Sequence, residues 1–334
     1  MKITMKTIAQ EAGVSVTTVS HVINGTKKIS AEKHKIITDL IKKYNYVPNS
    51  MAQSLRNHST KTAGLVVSSF PDSHVTNIVN GIGRRAQEAG YNLLFVNTNE
   101  NEEYERETIH LLHSKMVDGL ILSPTSSNLT YLQKLIDKQF PIVFVNRYDT
   151  LYDQIPRVGA NNYQAGFDAT THLIKHGHQE IGLVCGLRKN YITTTEERIK
   201  GYKEALLKHN LHVNEDYLVA TNATVEGGKR ATKALLAKHP QLTALFCVND
   251  LTTIGAIEAL HEMELACPED VAVIGCGDFE AASIIDPPVT TVRLAPETIG
   301  ITAFDALLSK INNNDYCQHI ELPTSLLIRK SCGC

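Results

Sequence analysis

The run "TMKTIAQEAGVSVTTVSHVIN", residues 4–24, sets the character of the N-terminal end. Ile8, Ala9 and Ala12 recur at helical spacing, and Thr4 stands where a helix cap belongs. Gly13 permits the left-handed turn that ends this helix. Ser15 can cap a second helix whose Val19, Val22 and Ile23 form one apolar face. Two short helices joined by a tight glycine turn make a helix-turn-helix. "SAEKHKIITDLIKKYNY", 30–46, supplies a third helix, with Ser30 as its cap and Ile36, Ile37, Leu40 and Ile41 facing inward. So small a unit has a marginal core, which suits a docking module better than a structural one.

The outward residues of the second helix are Val16, Thr17, Thr18, Ser20 and His21. In a helix-turn-helix the N-terminal end of this helix enters the DNA major groove. Thr17 can bond base edges, Val16 can touch a thymine methyl, and His21 can donate to guanine. Ser15, Thr18, Ser20 and Asn24 suit phosphates, where hydroxyls and amides set register. Taken alone, the same residues also describe a polar solvent face.

Charge is unevenly spread. Residues 1–62 hold ten basic against three acidic side chains, a charge of +7, while the rest of the chain carries −9. A positive head on a negative body fits a polyanionic partner for the head, although a lysine-rich solvated surface has the same composition. "YVPNSMAQSLR", 46–56, sharpens the choice. Pro48 stops the third helix, and "MAQSLR" is too short to be a stable helix alone in water. It offers Met51, Ala52 and Leu55 with nothing local to bury them against. Leu55 beside Arg56 suits a minor-groove wedge followed by a groove-tracking cation.

Beyond residue 62 short β-branched runs alternate with helical patterns. One series is 64–69, 92–97, 119–124 and 141–146, and a second is 181–186, 244–249 and 271–276. This order makes two α/β lobes of parallel sheets flanked by helices. Ligands of such sheets bind beyond the carboxyl ends of the strands. Gly81 and Gly83 lack the third glycine of a dinucleotide-binding turn and fall inside a helical pattern. There is no phosphate loop, no nucleophile elbow and no catalytic constellation, so no enzyme and no cofactor is expected. His110 and His113 share a helix face without a third ligand nearby, and "HGH", 176–178, reads as a turn. The seven cysteines read as mostly buried free thiols, and "SCGC" as a solvated tail, with no metal site expected. The chain shows no leader and no apolar run long enough to span a membrane, which points to the cytoplasm.

These residues together resemble the LacI/GalR family of bacterial transcriptional regulators. The resemblance runs through "TIAQEAGVSVTTVSHVING", "YVPNSMAQSLR", "THLIKHGHQEIGLVCG", "ERIKGYKEAL", "FCVNDLTTIGAIEAL" and "VAVIGCGDFEAASIIDPPVTTV". Around "TTVSHVIN" the head is most similar to the family's purine-responding members. The resemblance implies an α/β protein: a small all-α head on a two-lobed body like a periplasmic binding protein. The division would be 1–47 for the helix-turn-helix head and 48–61 for a hinge helix and linker. One lobe would hold 62–160 and 293–321, the other 161–292 and 322–334.

It further implies a homodimer on a near-palindromic double-stranded operator, with no membrane partner. Val16, Thr17 and His21 would read bases, and Leu55 would wedge between base pairs. Ala52 would let paired hinge helices pack closely, and Arg56 would lie in the minor groove. For the effector it points to His74, Val75, Asn146, Arg147, Arg188, Arg198, Asn222, Asp250 and Asp278. Arg147 and Arg198 with few aromatics suit a sugar, sugar acid or sugar phosphate better than a flat purine. The alternatives are a purine-type corepressor and a phosphorylated protein coeffector. Two departures stand out: Thr7 replaces the family's usual aspartate, and Ala160-Asn161 replaces its usual "DN", which removes one expected pocket carboxylate.

Overall fold

A computed structural model describes residues 3–25, 27–46, 59–68, 73–114, 117–126, 128–186 and 193–334. The chain forms two compact units, 1–60 and 61–334.

In the first unit α1 spans Met5–Glu11, α2 Val16–Asn24 and α3 Ala31–Lys43. Thr4 and Thr7 cap α1 reciprocally: each backbone N–H donates to the other's hydroxyl at 3.3 Å. Thr7 thus has a capping role without carrying a charge. Ser15 caps α2 by accepting from the Thr18 N–H at 3.1 Å, and Gly25, left-handed at φ 62°, ends it. Ile8, Ala9, Val19 and Ile37 form the buried core, with Val22, Ile23, Leu40 and Ile41 packed around it. Two expectations fail here. Ile36 is 42% exposed and faces solvent, and Ser30 sits at the start of α3 without a side-chain capping bond. Lys43 and Tyr44 hold the Glu11 carboxylate at 2.7 and 2.5 Å, fastening α3 to α1.

The second unit contains two six-stranded sheets. Strands β1 Thr62–Val67, β2 Asn92–Asn97, β3 Gly119–Leu122, β4 Ile142–Val145, β5 Arg157–Ala160 and β11 His319–Leu322 build the first, in the order β11-β5-β4-β3-β1-β2. All its pairings are parallel. Strands β6 Ile181–Cys185, β7 Leu218–Ala220, β8 Ala244–Cys247, β9 Ala272–Gly277, β10 Thr290–Arg293 and β12 Ser325–Leu327 build the second, in the order β12-β10-β9-β8-β6-β7. Its edge strand β12 runs antiparallel to β10, a departure from the all-parallel expectation. The chain therefore passes between sheets after Ala160, after Arg293 and between Leu322 and Ser325.

The helices of this unit are α4 Ser73–Glu88, α5 Glu102–Ser114, α6 Gln133–Asp137, α7 Asn162–Lys175, α8 Thr193–Lys208, α9 Val225–Lys238, α10 Asp250–Glu262 and α11 Pro296–Asn312. They pair with glycine at the crossing points. A Cβ on Gly166 of α7 would overlap the Arg198 carbonyl, and one on Gly201 of α8 would overlap the Tyr163 carbonyl. Gly81 plays this packing role against α11 at Glu297, which explains a glycine that heads no phosphate loop. No described helix is long and apolar enough to cross a membrane.

Candidate functional site

On the first unit the N-terminal end of α2 is open to solvent. Val16 is 43% exposed, unusual for an aliphatic side chain, and Thr17 is exposed beside it. Ser20 and His21 are half-buried. Thr18 is less available than expected, because its hydroxyl lies 2.9 Å from the Ser15 hydroxyl within the cap. Asn24 ends α2 in the backbone trace. Lys27, Lys28, Lys33, Lys35 and Lys42 of this unit are exposed, whereas Lys43 is engaged with Glu11. Ala52, Leu55 and Arg56 lie outside the described residues, as does Arg188 of the second unit.

In the second unit a cavity of about 210 Å³ opens beyond the carboxyl ends of both sheets. The first sheet contributes His74 and Val75 at the start of α4, and Asn146 and Arg147 after β4. The second contributes Gly186 after β6, Asn249 and Asp250 after β8, and Cys276 and Gly277 at the end of β9. Thr194, Thr195 and Arg198 enter from the first two turns of α8, and Ala223 and Thr224 from the start of α9. The amino ends of α4, α8, α9 and α10 therefore converge on one space. Their backbone dipoles and end N–H groups favour negative charge there. Asn146 and Ala223 reach it through left-handed backbone, at φ 63° and 57°. No Phe, Tyr or Trp side chain lines the cavity among the described residues.

The two arginines of this cavity are held differently. Arg147 makes a two-pronged ion pair with Glu100, at 3.2 and 3.1 Å. Arg198 is only 6% exposed. Its Nε and Nη2 donate to Asn162 Oδ1 at 2.9 and 2.8 Å, and its Nη1 to the Val248 carbonyl. No carboxylate pairs with it among the described residues. The guanidinium is thus oriented at the cavity wall by hydrogen bonds to neutral acceptors.

Contacts among the described residues join the halves. The Ser73 hydroxyl donates to Asp250 at 3.1 Å, the Tyr148 N–H approaches the Thr193 hydroxyl at 3.5 Å, and the Tyr148 hydroxyl donates to Glu197. Arg157 covers the Tyr148 ring at 4.3 Å. Burial pushes the Glu197 carboxyl above its ordinary value, against the downward pull of the Tyr148 bond. His74 reaches Asn146 Oδ1 at 3.3 Å, so both sit in one local network.

The structure thus gathers His74, Val75, Asn146, Arg147, Arg198 and Asp250 around one cavity. Two expected residues stand elsewhere. Asp278 is outside the lining, because Arg293 and Arg329 hold its two oxygens at 2.7 and 2.8 Å. Asn222 is also outside it, accepting from the Thr224 hydroxyl at 2.8 Å while Ala223 and Thr224 face the cavity. Glu100 and Asn162, which orient the arginines, carry no spacing signal in the sequence. The threonine run of 193–195 was a legible polar start to α8 and was passed over.

Comparison with known proteins places these features. Residues 4–49 match the model described as bacterial regulatory proteins, lacI family. Residues 60–330 match that described as periplasmic binding proteins and sugar binding domain of LacI family. The HTH-type transcriptional repressor PurR of Pasteurella multocida is 33% identical over 332 residues, covering 98% of each chain. The lac repressor dimer bound to operator and the anti-inducer ONPF superimposes with a TM-score of 0.87 at 26% identity, over 99% of each chain. The transcriptional regulator CelR–cellobiose complex does so with a TM-score of 0.76 at 28% identity, over 99% of this chain and 100% of that one.

Proposed function

The chain belongs to the LacI family of bacterial regulatory proteins, DNA-binding transcriptional repressors rather than enzymes, and on that premise we propose that its effector is an anionic sugar derivative. The observation that carries this reading is Arg198: buried, charged, oriented by Asn162 and Val248, and without a carboxylate partner among the described residues. A sugar acid or sugar phosphate would supply the missing anion, with the converging helix ends as further support. Asn146, Asn249, Asp250, Thr194 and Thr224 would bond its hydroxyls. A purine-type corepressor is the second reading, favoured by full-length similarity to repressors named PurR.

On the DNA side, Val16, Thr17 and His21 read bases and Ser15, Ser20 and Asn24 grip phosphates. Leu55 wedges into the operator centre, flanked by Ala52 and Arg56. Residues 1–47 are the head and 48–61 the hinge; 62–160 with 293–321 and 161–292 with 322–334 are the two effector lobes. The protein works in the cytoplasm as a homodimer. Leu94 and Phe95 on edge strand β2 are each 41% exposed, and Tyr104 and Leu111 on α5 are 47% and 55% exposed, apolar side chains available to a second copy. Ligand binding changes the lobe arrangement, and DNA affinity follows through differential affinity for the two arrangements.

Selection of duplexes from a random pool tests the DNA reading. It should return a near-palindromic site, with affinity falling steeply with salt at a log–log slope of about −5 or steeper. Enrichment of no common site would contradict it. Calorimetry with matched neutral sugars, sugar acids, sugar phosphates and purine bases tests the effector class. Purine binding with no response to any sugar derivative would favour the second reading.

A further inference from the structure

The chain's last residues do not drift in solvent. Ser331 is fully buried: its hydroxyl donates to the Val273 carbonyl at 2.6 Å and accepts from the Thr290 N–H at 2.9 Å. Cys332 is 1% exposed, and the Thr290 hydroxyl donates to its sulfur at 3.1 Å. This anchoring delivers Cys334, which is exposed, to the carboxyl end of α7. There its sulfur lies 3.0 Å from His172 Nε2 and 2.7 Å from the Cys332 sulfur.

The second imidazole comes from helix geometry. His172 and His176 are four residues apart, so they share a face, and their ring centroids are 4.3 Å apart. The Nδ1–H of His176 donates to the His172 carbonyl at 2.8 Å. A carbonyl can only accept, so this bond fixes the proton on Nδ1 and leaves Nε2 with a lone pair. Such a tautomer lock is the usual support of a metal-bound histidine. Ligand atoms of His172, His176 and Cys334 all lie within 4.8 Å of one another. His178 takes no part in this cluster, since it is turned to the Thr243 hydroxyl at 2.9 Å.

We propose that His172, His176 and Cys334 bind one zinc-class divalent ion, with the Cys332 sulfur beside them as fourth donor. Two nitrogens and sulfur select borderline-soft ions over magnesium or calcium. Bonds of about 2.0–2.3 Å around a tetrahedral ion set its donors roughly 3.3–3.8 Å apart. The exposed Cys334 and His176 move by small amounts to meet that spacing. On binding, Cys334 and Cys332 each release a thiol proton to solvent, and the two thiolates take the metal. The ion pins the tail to α7, the helix whose first residue, Asn162, orients Arg198.

Cobalt(II) is the probe, added to the full-length, tag-free, reduced protein. The expected result is one equivalent per chain, with the intense visible bands of tetrahedral cobalt, a near-ultraviolet thiolate-to-cobalt band, and displacement by zinc. Cys334→Ser should reduce the thiolate band to what Cys332 alone supplies and weaken binding by more than the roughly 10- to 100-fold carried by outer-shell partners. His172→Ala should weaken it comparably, and Cys185→Ser, at a buried strand position, should leave it unchanged. Thermal unfolding without metal checks that each variant folds. A cobalt spectrum without the thiolate band, or binding unchanged by Cys334→Ser, would overturn the site. So would a reduced chain that binds no cobalt but forms a Cys332–Cys334 disulfide in air.

Discussion

The two arginines on opposite walls of the cavity have the same formal charge and different meanings. Arg147, on the side of the first sheet, arrives with its counter-ion: Glu100 neutralises it and the pair is a finished piece of structure. Arg198, on the side of the second, is deeper and held by neutral oxygens only. A buried charge without an opposite charge is costly. Its persistence at a cavity wall is understandable where a ligand brings the anion. Of the two, Arg198 is the arginine left for a ligand's anion under the proposed function, on a wall that also carries the Asp250 carboxylate.

Replacing Arg198 with alanine breaks this contrast most completely. Ligand affinity should fall by about 2–5 kcal/mol, roughly 30- to 3000-fold by calorimetry, with secondary structure retained in circular dichroism. Gly166→Ala tests how Arg198 is placed, since the new methyl would overlap the Arg198 carbonyl. Overpacking should cost about 1–3 kcal/mol in denaturant unfolding and weaken ligand binding as α8 is displaced. Arg147→Ala should cost less than about tenfold in affinity, because it removes an arginine already paired; a loss as large as that of Arg198→Ala would erase the distinction between the walls.

The smallest effect concerns the contact between the halves. Glu197 has a raised carboxyl pKa in the folded chain, chiefly from burial. A raised folded value means a stabilising contribution fully present below the ordinary value of 4.5 and lost as pH rises through the folded one. Melting temperature should therefore decline as pH rises through the range just above 4.5, and Glu197→Gln should make that decline shallower. Some decline should persist, because burial raises Glu105 in the same direction.

The same difference between the walls explains what the amino-acid order disclosed. Arg198 was reached through the family resemblance of "ERIKGY", since its helical spacing alone describes a surface cation equally well. Asn146, Arg147 and Asp250 were legible because each follows a β-branched run directly, where a parallel sheet presents its ligand end. Glu100 and Asn162 were not, since their roles depend on which loop meets which arginine across the fold. Asp278 misled for the same reason: Arg293, on the strand paired with β9, and Arg329, beyond β12, claim its two oxygens. In the head, Val19 and Ile37 followed helical periodicity into the core, whereas Ile36 pointed outward because the third helix needed a narrower apolar stripe. The tail "SCGC" shows the limit most sharply, since its imidazole neighbours lie more than 150 residues earlier in the chain.

One measurement bears most directly on Arg198: calorimetric titration of a neutral sugar and its carboxylate or phosphate counterpart into the intact protein and into Arg198→Gln. The expected result is tighter binding of the anionic partner by at least about tenfold, a difference near 1.4 kcal/mol, that disappears in the variant. Equal affinity for the neutral and anionic forms, or a preference that survives Arg198→Gln, would contradict the assignment of Arg198 as the anion receptor.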